Sequence, residues 1–197
     1  IGFDLLFPIS RLPNFFAVAY DDIPNEVPYL SFDPEVDGAL VAAPEGRRAV
    51  GLCWAGNADN KMDADRTLPS RFLEDIVAVP GCDFYTLQFG ERAVDLAAHE
   101  WAGKITVLDD DRLGDFYQTA GIIKHLDLVI TVDTVICHLA GALGVPTYLL
   151  VGANCDWRWG ARKTTTPWYP SLTMFRQERP REWQPVVAAV RAKLQAG

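Results

Sequence analysis

The sequence predicts an α/β domain built on a doubly wound parallel sheet. Short runs that are apolar on both faces recur from about residue 46 onward, and most are followed by a stretch with helical spacing. A second observation is the stretch Thr131-Val-Asp-Thr134-Val-Ile-Cys-His138-Leu-Ala-Gly-Ala-Leu-Gly144-Val-Pro146. It reads as the end of a buried strand, a sharp turn, the first turns of a helix, and a glycine stop before the next strand. Such a turn aims free backbone N–H groups at the carboxyl edge of the sheet, where an anion such as a diphosphate would sit.

The elements follow in order. Ala49-Val-Gly-Leu-Cys-Trp54 is a first strand, broken by Ala55-Gly56-Asn57. Pro69 to Val79 has helical spacing, with Phe72, Leu73, Ile76 and Val77 on one face. Cys82 to Leu87 is a second strand, Ala93 to Ala98 a weak helix, and Lys104 to Leu108 a third strand. In Asp115 to His125, Phe116, Ala120 and Ile123 recur at three or four residues, which marks a helix. Leu126 to Val132 is a fourth strand, apolar on both faces apart from Asp127. Val135 to Leu143 is a helix, Pro146 to Val151 a fifth strand, and Leu172 to Phe175 a candidate sixth. Trp183 to Leu194 closes the chain with an amphipathic helix. Strands apolar on both faces call for helices on both sides, and right-handed crossovers then give the doubly wound arrangement.

Residues 1–45 differ. They carry Pro8, Pro13, Pro24, Pro28, Pro34 and Pro44 and few helical periods. They read as an irregular linker, or the remnant of an upstream domain, that leans on another surface. The domain proper is 46–197. The opening Ile-Gly-Phe-Asp-Leu-Leu-Phe-Pro lacks an initiator Met and a basic leader, so the chain reads as part of something longer.

Composition narrows the function. At 49% apolar and 22% charged residues a packed core is expected. A formal net charge of −8 argues against a nucleic-acid-binding face, which needs clustered Lys and Arg. It does not argue against a small anion held at a helix terminus. No apolar run is long enough to span a bilayer as a helix. Cys53, Cys82, Cys137 and Cys155 are widely spaced, and three lie in or beside apolar segments. They are expected to be free thiols in a reducing, cytoplasmic setting. The three histidines lack any metal-binding spacing, so no metal is expected.

Ligands of such sheets lie beyond the carboxyl ends of the strands. Those ends carry Gly56, Asn57, Lys61 and Arg66, then Gln88 and Gly90, then Asp109 to Asp111, then Asp133 and Thr134, then Gly152 to Trp159. A diphosphate is assigned to Thr134 and the N–H groups of Val135 and Ile136. Asp133 would repel it and is assigned to helix capping or to a sugar hydroxyl. His138 lies one helical turn beyond Thr134, on the same face, and is either a ligand group or packed against neighbouring strands. Lys61 and Arg66 would complete a diphosphate clamp, preferred because their loop sits at the correct edge. The alternative is a solvated loop with its cations paired to Asp63 and Asp65. Gln88 either meets a nucleobase edge or satisfies loop backbone. Trp157, Trp159, Trp168 and Tyr169 either line a base or sugar pocket or pack against another domain.

Several motifs in order carry a resemblance. They are Val50-Gly-Leu-Cys-Trp-Ala-Gly-Asn57, Arg66-Thr-Leu-Pro69, Thr86-Leu-Gln88, Asp127-Leu-Val-Ile-Thr-Val-Asp-Thr134, His138-Leu-Ala-Gly-Ala-Leu-Gly144 and Asp156-Trp-Arg-Trp159. Each alone is weak, but the order is specific. From about residue 45 the chain resembles the carboxyl-terminal half of glycosyltransferase family 9, the bacterial ADP-heptose heptosyltransferase-like proteins. It is most similar to the variety often attached to tetratricopeptide repeats. The resemblance implies a GT-B architecture whose C-terminal, Rossmann-like half binds a nucleotide-diphosphate sugar donor, with a metal-independent, inverting transfer and no cofactor. It implies that Thr134 and its helix end hold the diphosphate, that Lys61 or Arg66 neutralises the leaving nucleoside diphosphate, and that Gln88 lies near the nucleoside. The acceptor site and any general base would belong to an upstream domain. One departure is Val135, where the family usually has a small residue or glycine directly after Asp-Thr.

Two other classes are weighed. A nicotinamide or flavin domain would need GxGxxG after the first strand and an acid closing the second. Gly56-Asn-Ala-Asp-Asn and Gln88 do not supply them. A non-catalytic binding or scaffolding module attached to a repeat protein remains open, because a fold does not establish an activity.

Overall fold

The computed structural model describes residues 2, 6–31, 41, 43–108, 110–160 and 163–197. Asp109 and Pro34, singled out in the sequence, lie outside the described residues.

Among the described residues six strands form one sheet: β1 (Arg48–Cys53), β2 (Cys82–Thr86), β3 (Ile105–Thr106), β4 (Leu128–Val132), β5 (Thr147–Val151) and β6 (Leu172–Arg176). Every pairing is parallel, and the spatial order is β3-β2-β1-β4-β5-β6. The expected doubly wound parallel sheet is therefore present. Its chain order reverses between β1 and β4, which opens a crevice at their carboxyl ends.

The helices are α1 (Leu12–Phe15), α2 (Asp63–Arg66), α3 (Leu73–Val77), α4 (Glu91–Val94), α5 (Asp110–Leu113), α6 (Phe116–Lys124), α7 (Val135–Ala142) and α8 (Gln184–Gln195). Period-two alternation along each strand sends side chains to opposite layers. Val50 and Leu52 pack with Leu73, Ile76, Val187 and Val190 of α3 and α8. Ala49 and Cys53 pack with Ile123 of α6 and with Ile136 and Leu143 around α7. A third cluster, with Leu149, Met174, Trp159 and Tyr169, covers β5 and β6. Asp127, the polar exception at the head of the fourth strand, is tied down by the backbone. Its carboxylate accepts from Ala49 N–H at 2.8 Å, and its own N–H donates to Ala49 C=O at 2.9 Å.

The third strand is shorter than its apolar run suggested. Only Ile105–Thr106 pair, at the sheet edge, where Val107 turns out to solvent and is 64% exposed. Residues 70–77 fold as a 3-10 turn running into α3 rather than one long helix. The polar loop after β1 contains a one-turn helix, α2, that its sequence did not announce. Gly144 ends α7 as expected, in the left-handed region at φ 71°, with its N–H donating to Gly141 C=O.

The described part of the first 45 residues adds α1 and two 3-10 turns, and no strand to the sheet. Tyr29 fastens it to the domain, its N–H donating to Ala142 C=O at 3.0 Å and its hydroxyl to the Tyr169 hydroxyl at 3.5 Å. Ile9 and Phe16 on this segment are exposed. No helix among the described residues is long and apolar enough to cross a membrane. All four cysteines are free.

Candidate functional site

Three segments leave the carboxyl edge of the sheet around the switch point and enclose a cavity of about 530 Å³. The turn after β1 gives Ala55, Gly56, Asn57 and Arg66. The segment after β2 gives Gln88, Phe89, Glu91 and Arg92. The end of α7, after β4, gives Thr134, Val135 and Ile136, and Cys53 lies beneath them.

The α7 end is capped from within. Thr134 is extended, at φ −137° and ψ 176°, and its Oγ1 accepts from Ile136 N–H at 3.3 Å. Thr131 Oγ1 lies 3.3 Å and Cys53 Sγ 3.7 Å from the same oxygen. Asp133 therefore does not cap the helix, contrary to one expectation: the residue before the first turn is Thr134, and its shorter side chain reaches the amide. Asp133 instead contributes its backbone carbonyl, which accepts from Arg66 Nη1 at 3.3 Å. That bond brings the cation of the first loop to the head of α7.

Arg66 reaches the cavity across Gly56. A Cβ on Gly56 would stand 2.4 Å from Arg66 Nη2, so the glycine makes room for the guanidinium. Beneath it, Asp63 is 6% exposed. Its Oδ1 accepts from Thr67 Oγ1 at 2.9 Å and its Oδ2 from Arg92 Nη2 at 2.7 Å. Arg66 Nε stands 3.7 Å from Oδ1, an ion pair without a hydrogen bond. The solvated-loop alternative is thus met in part, since Arg66 pairs with Asp63, while Asp65 pairs with Arg181 at 3.3 Å. Lys61 is not brought into this cavity. It lines the neighbouring depression with Trp54, Ser70 and Asp95, because α2 turns the loop back before Arg66.

Gln88 is 6% exposed, and its Oε1 accepts from Ala55 N–H at 2.8 Å and from Cys53 Sγ at 3.6 Å. Its carbonyl end holds the turn after β1 in place, which is the backbone-satisfying role, and the residue also lines the cavity. Asn57 lines the mouth and closes its own turn, Oδ1 accepting from Asp59 N–H at 3.0 Å. Burial pushes the Cys53 thiol up, so it is a neutral wall of the cavity.

His138 is not among the cavity walls. Its Nδ1 lies 3.1 Å from the Tyr169 hydroxyl, and its ring stacks on Trp159 with centroids 5.4 Å apart. Burial holds it below the ordinary histidine value. The aromatic run follows it away from the cavity: Trp159 is fully buried, and Trp157 meets Trp168 edge to face at 6.1 Å. None of these rings lines the cavity at the switch point. Asp133, Cys137 and His138 do place one potential ligand atom each within 4.8 Å of one another. Cys137 is fully buried, with its thiol donating to Thr134 C=O at 3.0 Å, and burial raises it far above an ordinary thiol.

Arg92, Phe89, Glu91 and Asp63 were not read from the sequence as site residues. Phe89, Glu91 and Arg92 lie within four residues after Gln88, past a strand end, which was the signal for them.

Comparison with known proteins bears on this geometry. Residues 113–191 match the model of glycosyltransferase family 9 (heptosyltransferase). The resemblance read from the motif order is therefore found. Protein FlbA of Caulobacter vibrioides is 32% identical over 148 residues, which is 74% of this chain and 24% of that protein. The chain thus spans about a quarter of that relative's length. Among solved structures, E. coli ADP-heptose lps heptosyltransferase II matches with TM-score 0.56 at 15% identity, over 87% of this chain and 56% of its own. E. coli heptosyltransferase WaaC with ADP matches with TM-score 0.58 at 17% identity, over 78% of this chain and 45% of its own. The fold is that of one part of these heptosyltransferases.

Proposed function

Starting from a chain with a glycosyltransferase family 9 match and a heptosyltransferase-like fold, we propose that it is the donor-binding half of a metal-independent, inverting glycosyltransferase. Its ligand on this reading is a nucleotide-diphosphate sugar. The observation that carries the reading is the meeting of Arg66 with the head of α7 at the β1/β4 switch point. A guanidinium and a helix N-terminus converge there on one cavity, and both favour an anion.

The chemistry follows from charge. As the anomeric bond breaks, negative charge grows on the departing diphosphate. Ile136 N–H is taken by Thr134 Oγ1, so the Val135 amide at the head of α7 and the Arg66 guanidinium are the fixed donors for that charge, and fixed donors cost no reorganisation in the transition state. Positive charge from the protein does here what a cation bound to the diphosphate would otherwise do. Phe89 gives the cavity an apolar wall for the nucleoside. The acceptor and the general base fall to an upstream domain, and the exposed apolar side chains of residues 9–16 lie on the segment that would connect to it. The four free thiols fit a cytoplasmic setting, where such donors would be used.

Calorimetric titration of the full chain with ADP, GDP and UDP tests this. Binding of one, weakened by Arg66→Ala with the fold retained, is the expected result. No binding of any by the folded protein would leave the scaffolding reading, in which a donor half serves only to recruit partners.

A further inference from the structure

Charge balance at Asp63 does not by itself account for the position of Arg92. Arg92 comes from α4, beyond β2, whereas Arg66 comes from the loop after β1, yet both guanidiniums converge on Asp63. A single buried carboxylate requires one counter-charge; this one has two. Asp63 also gives Oδ1 to Thr67, so its hydrogen-bonding is shared between Thr67 and Arg92. Arg66 is left with one hydrogen bond among the described residues, the 3.3 Å contact to Asp133 C=O, and its Nε is buried without a hydrogen-bond partner. Both guanidiniums line the cavity, whereas the carboxylate they share is buried and is not among its lining residues. Glu91 also lines the cavity, but it is exposed and its charge is screened by solvent.

We propose that Arg92 is a second diphosphate-binding group, that Asp63 is the positioning residue setting it beside Arg66, and that the pair makes the cavity select a diphosphate over a monophosphate. This rests on the donor-binding reading above. The topology supports it: the segments after β1 and β2 each bring one cation to the cavity that the head of α7 after β4 also lines. One phosphate meets the Val135 end of α7 and Arg66; the other meets Arg92. A planar guanidinium anchored to Asp63 by one nitrogen keeps further donors for a phosphate in a fixed orientation, which a freely rotating cation would not.

The test is calorimetry on the full chain with ADP, GDP and UDP, then with the matching monophosphate and nucleoside and with inorganic pyrophosphate. Arg92→Gln is expected to lower diphosphate and pyrophosphate affinity by about tenfold or more and monophosphate affinity by less than about threefold. Arg92→Lys should restore part of the loss. Asp63→Asn should give the same selective loss, with nucleoside affinity unchanged; a merely structural role would lower all of them together. If Asp63→Asn does not fold, Arg92→Gln decides alone, because that side chain is 35% exposed. Equal losses for mono- and diphosphate, or unchanged diphosphate affinity in Arg92→Gln, overturn the proposal while leaving the donor-binding reading standing. A wild-type protein that binds no nucleotide and no pyrophosphate overturns both.

Discussion

The guanidinium of Arg66 occupies the space that a side chain at residue 56 would take, with Nη2 2.4 Å and Cζ 2.7 Å from the position of a Cβ on Gly56. The obstacle is the far end of a flexible side chain, not backbone. Gly56→Ala is therefore expected to push Arg66 out of place rather than unfold the domain. Diphosphate affinity should fall about tenfold, while the thermal midpoint moves by less than about 4 °C. Calorimetry and a melting curve on the same sample check it. A large loss of stability with unchanged affinity would show that Arg66 does not serve the cavity.

Thr134 has two tasks that substitutions can separate. As the cap of α7 it accepts from Ile136 N–H, and the residue also lines the cavity. Thr134→Ala should cost about 1 kcal/mol of stability through the lost cap. It should also weaken diphosphate binding. Thr134→Ser keeps the oxygen and is expected to stay close to wild type in both. Denaturant titrations and nucleotide titrations of the two variants decide; a Ser variant as impaired as Ala would mean that the methyl group, not the oxygen, matters.

The contrast between Arg66 and Arg92 shows how far the sequence could be read. Arg66 stands in a polar loop directly after an apolar run, so strand-end logic finds it. Arg92 reaches the same carboxylate, Asp63, across 29 residues of chain. No periodicity or spacing encodes that meeting; it exists only because β1 and β2 are neighbours. Asp63 itself looked like an exposed loop acid, since the one-turn helix that buries it has no apolar face to announce it. The strands were legible for the opposite reason. Leu128 to Val132 is buried at every position, and a run apolar on both faces has few other destinations. The tryptophans left two readings open because composition says aromatic without saying which way. Trp159 is spent on stacking His138, in the layer over β5 and β6.

Gly141 sets how closely α7 can approach Tyr169. A Cβ there would lie 2.4 Å from Cγ and 2.5 Å from Cδ1 of the tyrosine ring. The ring cannot retreat easily, because its hydroxyl is held between Tyr29 and His138. Gly141→Ala should therefore destabilise the domain by about 1–3 kcal/mol through overpacking. Pairing it with Tyr169→Leu, which removes the obstructing ring, should make the combined loss smaller than the sum of the two single losses. Strict additivity in urea titrations would refute the clash.

His138 gives the domain a pH dependence whose direction is fixed by its surroundings. Burial is the largest influence and lowers its pKa below the ordinary 6.5; Asp133 and Asp156 favour the protonated ring, and Arg158 opposes it. A base held below its unfolded value leaves the unfolded chain binding more protons, so stability rises with pH. The contribution of His138 is complete above pH 6.5 and is lost as pH falls from there through the folded value. The slope cannot exceed one proton, about 1.4 kcal/mol per pH unit. His138→Phe keeps a ring against Trp159 but cannot take up the proton. Its stability at neutral pH should drop, because the Tyr169 hydroxyl loses its partner, yet its stability should fall less steeply than wild type between pH 7 and pH 5. Urea titrations of both proteins across that window measure the difference in slope, which isolates this histidine from the carboxylates that titrate in both. Parallel curves would mean that the ring is protonated in the folded domain at no extra cost, and that its stacking on Trp159 leaves it open to water.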